Sequence, residues 1–111
     1  MEKDQSIKED NGKPKISLVP PKIIYDIAKV REYGLEKYGT SESWKKVEVE
    51  RYWDAYLRHT LACFDDLKSV DEESGLPHLY HAACNLAFML ELLAAEAKTE
   101  NEPQEGLFGE E

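Results

Sequence analysis

Apolar residues recur at the period of an α-helix in three separate segments of this chain. No segment alternates apolar and polar residues for long enough to form a β-strand. The first predicted helix follows Pro21, whose missing amide hydrogen is not needed in an opening turn, and it ends at Gly39. The second runs from about Glu48 to Leu67, and the third begins near Pro77. The sequence therefore predicts an all-α fold, a small helical bundle with three main helices per chain.

The second predicted helix carries two apolar stripes. One stripe holds Tyr52, Tyr56, His59, Cys63 and Leu67, and the other holds Trp53, Leu57, Leu61 and Phe64. Two stripes on one helix indicate two packing partners. A symmetry mate is the simplest partner for a stripe that its own chain does not cover, and a core this small is marginal alone. We therefore expect a homodimer or a homotetramer.

The two ends of the chain differ in composition from its middle. Residues 1–15 are charged and lack any period, and the chain is acidic after Lys98. We predict a disordered leader over 1–15, one helical domain over 16–97 and a disordered acidic tail over 98–111. No apolar run approaches the about 20 residues of a membrane helix, and Cys63 and Cys84 are the only cysteines. These features favour a cytosolic protein without a membrane partner, a disulfide framework or a classical zinc site.

The net charge of the chain is -9, although 33% of its residues are charged. Binding along a phosphate backbone needs clustered lysines and arginines, so duplex nucleic acid is not an expected partner. Acidic residues in a cleft are compatible with nucleotide phosphates when divalent cations bridge the two negative groups. The net charge therefore favours, as a partner, a small phosphate-containing molecule that a metal ion bridges to acidic residues.

Polar side chains converge at one end of the second and third predicted helices. They are Arg58, His59 and Asp66 on the second helix, Asp71 and Glu73 in the connection, and His78, His81 and Asn85 in line on the third. An antiparallel helix pair joined by a loop brings these groups together. Carboxylates and imidazoles in a bundle are typical of sites for Mg²⁺ or Mn²⁺ that activate water against phosphorus. Lys37 and Arg58 would supply the remaining positive charge that stabilises the transferring phosphoryl group.

A purely structural interpretation of the same residues stays open. His59 can be a hydrogen-bonded core histidine beside an ion-paired arginine, and His78 an exposed residue of a first helical turn. The acidic connection can be a solvated loop, and Trp44 can be a core side chain instead of a platform for a base. Periodicity does not decide between the two interpretations. The sequence has no HExxH, Walker A or GxGxxG motif, so several standard hydrolase classes are excluded.

Six short motifs occur in a fixed order over residues 12–93. They are Gly12 to Lys15, Ser17 to Pro21, Glu36 to Gly39 followed by Trp44, Arg58 with His59, Asp71 to Leu79, and His81 to Asn85. In this order and spacing, the chain resembles the phage-associated dATP/dGTP diphosphohydrolase family, which is related to the MazG-like all-α nucleoside triphosphate pyrophosphohydrolases.

The resemblance implies hydrolysis of dATP or dGTP to the monophosphate and pyrophosphate in the cytosol of a bacterial or phage-infected cell. It also implies Mg²⁺ or Mn²⁺ held by acidic residues of a helical bundle, and a homo-oligomer. This sequence lacks the ExxE and ExxD pair of the MazG-like relatives, so its ligands must come from the connection and its flanking helices.

Roles follow from matching positions to this resemblance. We assign catalysis to His59, Glu73 and His81, and metal ligation to Asp66, Asp71, Glu73 and His78. Substrate contacts are assigned to Lys37, Tyr38, Trp44, Arg58 and Asn85, with Trp44 stacking on the base and Lys37 and Arg58 facing the phosphates. The alternative hypothesis is a non-enzymatic acidic helical module, a phage-type inhibitor or decoy that binds a basic surface of a host protein.

Overall fold

The computed structural model describes residues 2–100, and within them it contains three α-helices and no β-strand. Helix α1 spans Lys22–Tyr38, α2 spans Val49–Ala62 and α3 spans His78–Glu100. Both α1 and α2 pack on α3, which is therefore the central helix. The prediction of an all-α fold with three main helices is confirmed.

The contacts between α2 and α3 show that the two helices run antiparallel. Tyr52, early in α2, lies against Phe88, while His59, later in α2, lies against His78 at the start of α3. This is the arrangement expected of consecutive helices joined by a loop. The start of α3 is thereby placed beside the second half of α2.

Helix α1 ends where the sequence predicts. Gly39 has a positive φ of 74°, and its amide donates to the carbonyl oxygen of Leu35 at 2.8 Å. Glycine accepts this left-handed conformation without the steric cost of a Cβ atom. Pro21 precedes the helix, as expected for a residue without an amide hydrogen.

Helix α2 is shorter than predicted, and the expected end at Leu67 is wrong because the helix stops at Ala62. The Asp66 carboxylate accepts the amide of Lys68 at 2.9 Å, and the Ser69 hydroxyl donates to the Ala62 carbonyl at 3.0 Å. Aspartate and serine compete in this way with helical hydrogen bonds, although their neighbours keep an apolar spacing. The connection between α2 and α3 is correspondingly longer than expected.

This connection closes into a tight turn just before α3. An isolated antiparallel bridge joins Val70 and Pro77, and the Asp71 amide donates to the Leu76 carbonyl at 2.8 Å. Gly75 has a φ of 75°, and its amide donates to the Asp71 carbonyl at 2.8 Å. The turn holds the backbone of Asp71 beside the first turn of α3.

Few apolar residues are buried within residues 2–100. They are Cys63, Ala82, Cys84 and Met89. The outer stripe of α2, formed by Trp53, Leu57, Leu61 and Phe64, stays exposed, and so do four leucines of α3, namely Leu79, Leu86, Leu90 and Leu93. The stripe that includes Tyr52 and His59 packs on α3 instead. Exposure of the outer stripe agrees with the reasoning behind a homo-oligomer, which stays a prediction.

The predicted domain limits fall partly outside the described residues. Residues 2–15 are exposed and contain a 3-10 turn at Gln5–Ile7, and a second such turn, Ile16–Leu18, precedes α1. Helix α3 continues past the predicted domain end at residue 97, and residues 101–111 of the predicted tail lie outside the described part. No helix of the described residues is long and apolar enough to cross a membrane.

Candidate functional site

All three histidines of the chain meet between α2 and the start of α3. The Nδ1 atoms of His59 and His78 are 2.8 Å apart, a distance at which one ring donates to the other. The ring of His59 stacks on that of His81, with centroids 4.6 Å apart and planes 10° apart. The convergence expected from their spacing is present.

The Asp71 carboxylate lies close to two of these imidazoles, those of His59 and His78. Ligand atoms of His59, Asp71 and His78 all lie within 4.8 Å of one another, and these residues are the one such group of potential metal ligands in residues 2–100. We call it the His-Asp cluster. Its three side chains are partly buried, so it lies at the wall of the bundle.

Two other predicted ligands lie outside the His-Asp cluster. Glu73 forms an ion pair with Lys37, and its Oε2 accepts the hydroxyl of Tyr33 at 2.6 Å. Asp66 accepts a backbone amide in its own turn, two residues along the chain. Of the four predicted ligands, Asp71 and His78 are therefore brought together, and Asp66 and Glu73 are not.

His81 connects the imidazoles to the turn that carries Asp71. Its Nε2 lies 2.7 Å from the hydroxyl oxygen of Ser74, and that oxygen also accepts the amide of Leu76 at 3.1 Å. The Ser74 amide donates to the Asp71 carboxylate at 2.8 Å. Ser74 thus links the ring of His81 to the carboxylate of Asp71.

The environment shifts the pKa values of His59, His81 and Asp71. Burial, with the nearby His81 and His78 rings, lowers the pKa of His59 to about 4, so His59 is uncharged at neutral pH. Burial also lowers the pKa of His81. Partial burial raises the pKa of Asp71, but hydrogen bonds from Ser74 and the nearby imidazoles outweigh it, and the net pKa is lowered.

A cleft of about 530 Å³ lies beside the cluster, and all three arginines of the chain line it. Its wall includes Arg31, Arg51 and Arg58, the aromatic residues Tyr38, Trp44, Tyr52 and Phe88, and also His59, Cys84 and Asn85. Ligand sites for small molecules have volumes of about 300–1,000 Å³. In a chain with a net charge of -9, this cleft concentrates guanidinium groups next to the His-Asp cluster.

The aromatic wall of the cleft is built around Phe88. Trp44 stacks on it with centroids 4.8 Å apart and planes 15° apart, and Tyr52 lies 4.9 Å away. The Tyr52 hydroxyl donates to the Trp44 carbonyl at 2.9 Å, and the Arg31 guanidinium carbon is 5.1 Å from the Phe88 ring centre. Trp44 therefore packs on the bundle.

Four of the five predicted substrate contacts line the cleft, namely Tyr38, Trp44, Arg58 and Asn85. Lys37 is instead paired with Glu73, and this contact raises the pKa of Lys37. Asn85 is buried, and its Nδ2 donates to the His81 carbonyl at 2.8 Å.

Sequence reasoning missed Arg31 and Arg51. Arg51 precedes Arg58 by seven residues, so the two share a helical face, and this spacing could have identified it. Arg31 occupies a position where the apolar period of α1 faces the bundle, which is an unusual place for a cation.

A second cleft, of about 470 Å³, lies between the segment that follows Trp44 and the second half of α3. Lys45, Lys46, Glu48 and Glu96 are among its lining residues, and no histidine or arginine is. It is therefore less suited to phosphate chemistry than the arginine-lined cleft.

Two comparisons with known proteins agree. A family model described as dATP/dGTP diphosphohydrolase, N-terminal, matches residues 3–102. A protein of Salmonella phage PMBT28, named dATP/dGTP diphosphohydrolase, is 39% identical over 87 residues, which make up 78% of this chain and 29% of that protein. The chain thus spans less than a third of its relative's length. No solved structure shows a significant match, and neither comparison bears on the MazG-like enzymes.

Both matches are to nucleotide hydrolases by name, so neither favours the alternative of an acidic interaction module. The family model covers nearly the whole chain, and the match to the phage protein covers 78% of it. This chain belongs to the dATP/dGTP diphosphohydrolase family, in the region that the family's N-terminal model describes.

Proposed function

We propose that this chain hydrolyses the purine deoxynucleoside triphosphates dATP or dGTP to the monophosphate and pyrophosphate with a divalent metal ion, Mg²⁺ or Mn²⁺. The observation that carries the proposal is a cleft lined by all three arginines and an aromatic wall, which reaches the His-Asp cluster at His59. The name of the phage relative supports the substrate class.

The arginines suit the triphosphate. A guanidinium offers several donors in a planar fork that binds two phosphate oxygens at once, and it keeps its charge at any physiological pH. Arg51 and Arg58 lie one above the other on α2, and Arg31 faces them from α1. Three such groups offset the negative field of an acidic chain where a nucleotide would bind.

The aromatic wall suits the base. Bases stack on aromatic side chains, and each such contact contributes about 1–3 kcal/mol. Trp44 is partly exposed at the cleft, and Phe88 fixes its orientation by stacking. Asn85 uses its amide nitrogen within α3, so its oxygen is the group able to accept a hydrogen bond from a purine amino group.

The His-Asp cluster suits a metal ion beside the phosphates. His59, Asp71 and His78 present two ring nitrogens and a carboxylate, and all three belong to metal-ligand types. A bound metal would polarise a phosphoryl oxygen and lower the pKa of a water molecule. His59 has the uncharged ring that ligation requires.

Two residues predicted to be catalytic are better described as positioning residues. His81 bonds to Ser74 and stacks on His59, so it holds both the turn and a ligand. Glu73 binds Lys37 and Tyr33, so it ties the connection to α1. We therefore expect His81→Ala and Glu73→Gln to lower turnover by displacing Asp71 and Lys37, with helical content retained.

The test is direct. Purified protein is incubated with each of the four dNTPs and Mg²⁺ or Mn²⁺, and the monophosphate and pyrophosphate are measured with and without EDTA. We expect release from dATP or dGTP, little from the pyrimidine triphosphates, and none with EDTA. Absence of metal-dependent release from any dNTP would contradict the proposal and favour the interaction module.

We also propose that the chain forms a homodimer or a homotetramer. The exposed outer stripe of α2 and the small buried core support this assembly.

A further inference from the structure

We propose that His59, Asp71 and His78 form a binding site for a first-row transition metal ion, such as Mn²⁺, Co²⁺ or Zn²⁺, and that this site discriminates against Mg²⁺. The inference deepens the proposed function and rests on it for the role of the metal. It departs from the acidic ligand set that the resemblance implies.

The first argument is the chemistry of the donors. Mg²⁺ prefers oxygen ligands and keeps most of its water, whereas imidazole nitrogen suits zinc, copper, iron and nickel. Mn²⁺ also accepts oxygen ligands and binds least tightly of the first-row series. Two of the three groups in the His-Asp cluster are imidazoles. The cluster is therefore matched to a transition metal and poorly matched to Mg²⁺.

The second argument is that the acidic side chains needed for a Mg²⁺ site are engaged elsewhere. The Glu73 carboxylate is held by Lys37 and Tyr33, and the Asp66 carboxylate closes its own turn. Asp71 alone of the predicted acidic ligands lies with the histidines. The structure thus replaces two of the expected oxygen ligands by one nitrogen ligand, His59.

The third argument is distance. Two nitrogens bound side by side to one metal at about 2.1 Å each are about 3.0 Å apart in octahedral geometry and about 3.4 Å apart in tetrahedral geometry. The Nδ1 atoms of His59 and His78 are 2.8 Å apart, and the Asp71 carboxylate lies within 4.8 Å of the ligand atoms of both rings. A metal could replace the proton that the rings share, with only small movements. Three protein ligands leave positions for water and a phosphate oxygen, as in catalytic metal sites.

The fourth argument is the support behind the ligands. The Ser74 amide fixes the carboxylate of Asp71, the Ser74 hydroxyl contacts His81, and the ring of His81 stacks on that of His59. Such outer contacts orient the ligands of metal sites and raise the affinity for the metal. The His-Asp cluster is therefore held in place by neighbours that are not ligands themselves.

Calorimetric titration of the full chain, prepared without a histidine tag, tests the inference. MnCl₂, CoCl₂, ZnCl₂ and MgCl₂ are titrated separately into the protein. We expect one ion per chain and at least tenfold tighter binding of Mn²⁺ than of Mg²⁺, with Co²⁺ and Zn²⁺ tighter still. Equal affinity for Mn²⁺ and Mg²⁺, or no binding of any of the four ions, would overturn the inference.

Two variants separate the nitrogen site from an acidic one. His78→Gln should weaken Mn²⁺ binding at least tenfold, while Asp66→Asn should leave it within about twofold of the unaltered chain. The reverse order would show that the acidic set holds the metal. Circular dichroism checks that each variant keeps its helices.

Nuclear magnetic resonance of the unaltered chain gives a readout that needs no variant. The chain has three histidines, so its imidazole ¹⁵N spectrum is simple. Zn²⁺ should shift a ring nitrogen of His59 and of His78 and leave His81 without a bound metal. Unchanged His59 and His78 signals with saturating Zn²⁺ would contradict the site.

The outcomes are distinguishable from failure of the proposed function. Tight binding of Mn²⁺ or Zn²⁺ without hydrolysis of any dNTP would support this site and contradict the proposed function. Hydrolysis of a dNTP without any binding of Mn²⁺, Co²⁺ or Zn²⁺ at His59 and His78 would support the function and contradict this site.

Discussion

Basic residues in this chain are divided by type, because arginines line the cleft beside the His-Asp cluster and lysines do not. Eleven of the fourteen are lysines, and the remaining three, the arginines, all line one cleft. Lysine carries a compact, strongly hydrated charge on a flexible stem, whereas arginine forms planar paired hydrogen bonds and stacks on aromatic rings. The position of Arg31 near the ring of Phe88 shows this second property directly. Residue type, and not total charge, therefore distinguishes the cleft that we propose binds phosphate.

A change from arginine to lysine in the cleft tests this division. Arg51→Lys or Arg58→Lys keeps the positive charge and loses the paired hydrogen bonds, so we expect KM for the dNTP to rise about tenfold. The value of kcat should change less, because the lost contacts bind substrate before the reaction as well as during it. Steady-state kinetics measures both constants.

Lys29→Gln is the matched control for these two variants. Lys29 is exposed on α1 and does not line the cleft, so its loss should leave KM within about twofold of the unaltered chain. An equal rise of KM in this control and in Arg51→Lys would contradict the assignment of the effect to the paired hydrogen bonds of the cleft arginines.

The buried thiol of Cys84 gives a second prediction at the residue scale. Burial raises the pKa of Cys84 to about 11, and its side chain is 2% exposed. The thiolate is the reactive form, so Cys84 should react slowly with Ellman's reagent at pH 8 in the folded chain. Cys63 is also buried, so both thiols should react slowly until urea unfolds the protein. Rapid reaction of one thiol per chain without urea would contradict this packing.

The sequence predicts part of the site well and part of it poorly. The well-predicted part lies on helices, where the fixed helical period determines which residues share a face. It consists of His59, His78, His81 and Asn85, and the structure brings them together. Glu73 lies in the connection between helices, where no period applies, and its contact with Lys37 joins residues far apart in the chain. Such contacts depend on the docking of α1 on α3, which local spacing does not encode.

At the scale of elements, helix ends follow their capping residues more closely than their apolar period. The glycine after α1 and the proline before α3 place two ends where predicted. The predicted end of α2 is wrong because the apolar spacing continues through Phe64 and Leu67, while Asp66 and Ser69 bond to nearby backbone groups. Polar side chains that bond to nearby backbone groups therefore decide this boundary.

The turn that holds Asp71 depends on Gly75. Its φ of 75° is in the left-handed region, and no atom lies within 4 Å of a Cβ atom built there. Gly75→Ala should therefore cost about 1–2 kcal/mol of unfolding free energy through backbone strain alone. Thermal or urea unfolding followed by circular dichroism measures the loss, and metal affinity should fall with it because Asp71 moves.

Gly34→Ala is the matched control for stability. Gly34 lies inside α1 with ordinary helical backbone, and an added Cβ atom would likewise meet nothing within 4 Å. We expect this change to be neutral or to stabilise the chain by up to about 1 kcal/mol, because alanine favours helices. Equal destabilisation by both changes would contradict the assignment of the effect to the φ of Gly75.

At the scale of the whole molecule, the acidic surface and the outer stripe of α2 have opposite effects on the association of two copies. The net charge of -9 makes two copies repel one another, whereas the outer stripe of α2 favours their association. Salt screens the charges and leaves apolar burial in place. The balance between these two terms sets the assembly state.

We expect a dimer or tetramer whose population rises as salt increases from about 20 mM to 500 mM. Over this range the Debye length shrinks from roughly 20 Å to below 5 Å. Light scattering during size-exclusion chromatography measures the size.

A substitution at Leu61, which is 60% exposed in the middle of the stripe, tests the contact between copies. Leu61→Asp should shift the chain toward the monomer, because a carboxylate would be buried between copies. Ile7→Asp, at a side chain 81% exposed before α1, is the matched control and should leave the size unchanged. A monomer at every salt concentration would show that the stripe is not an interface between copies.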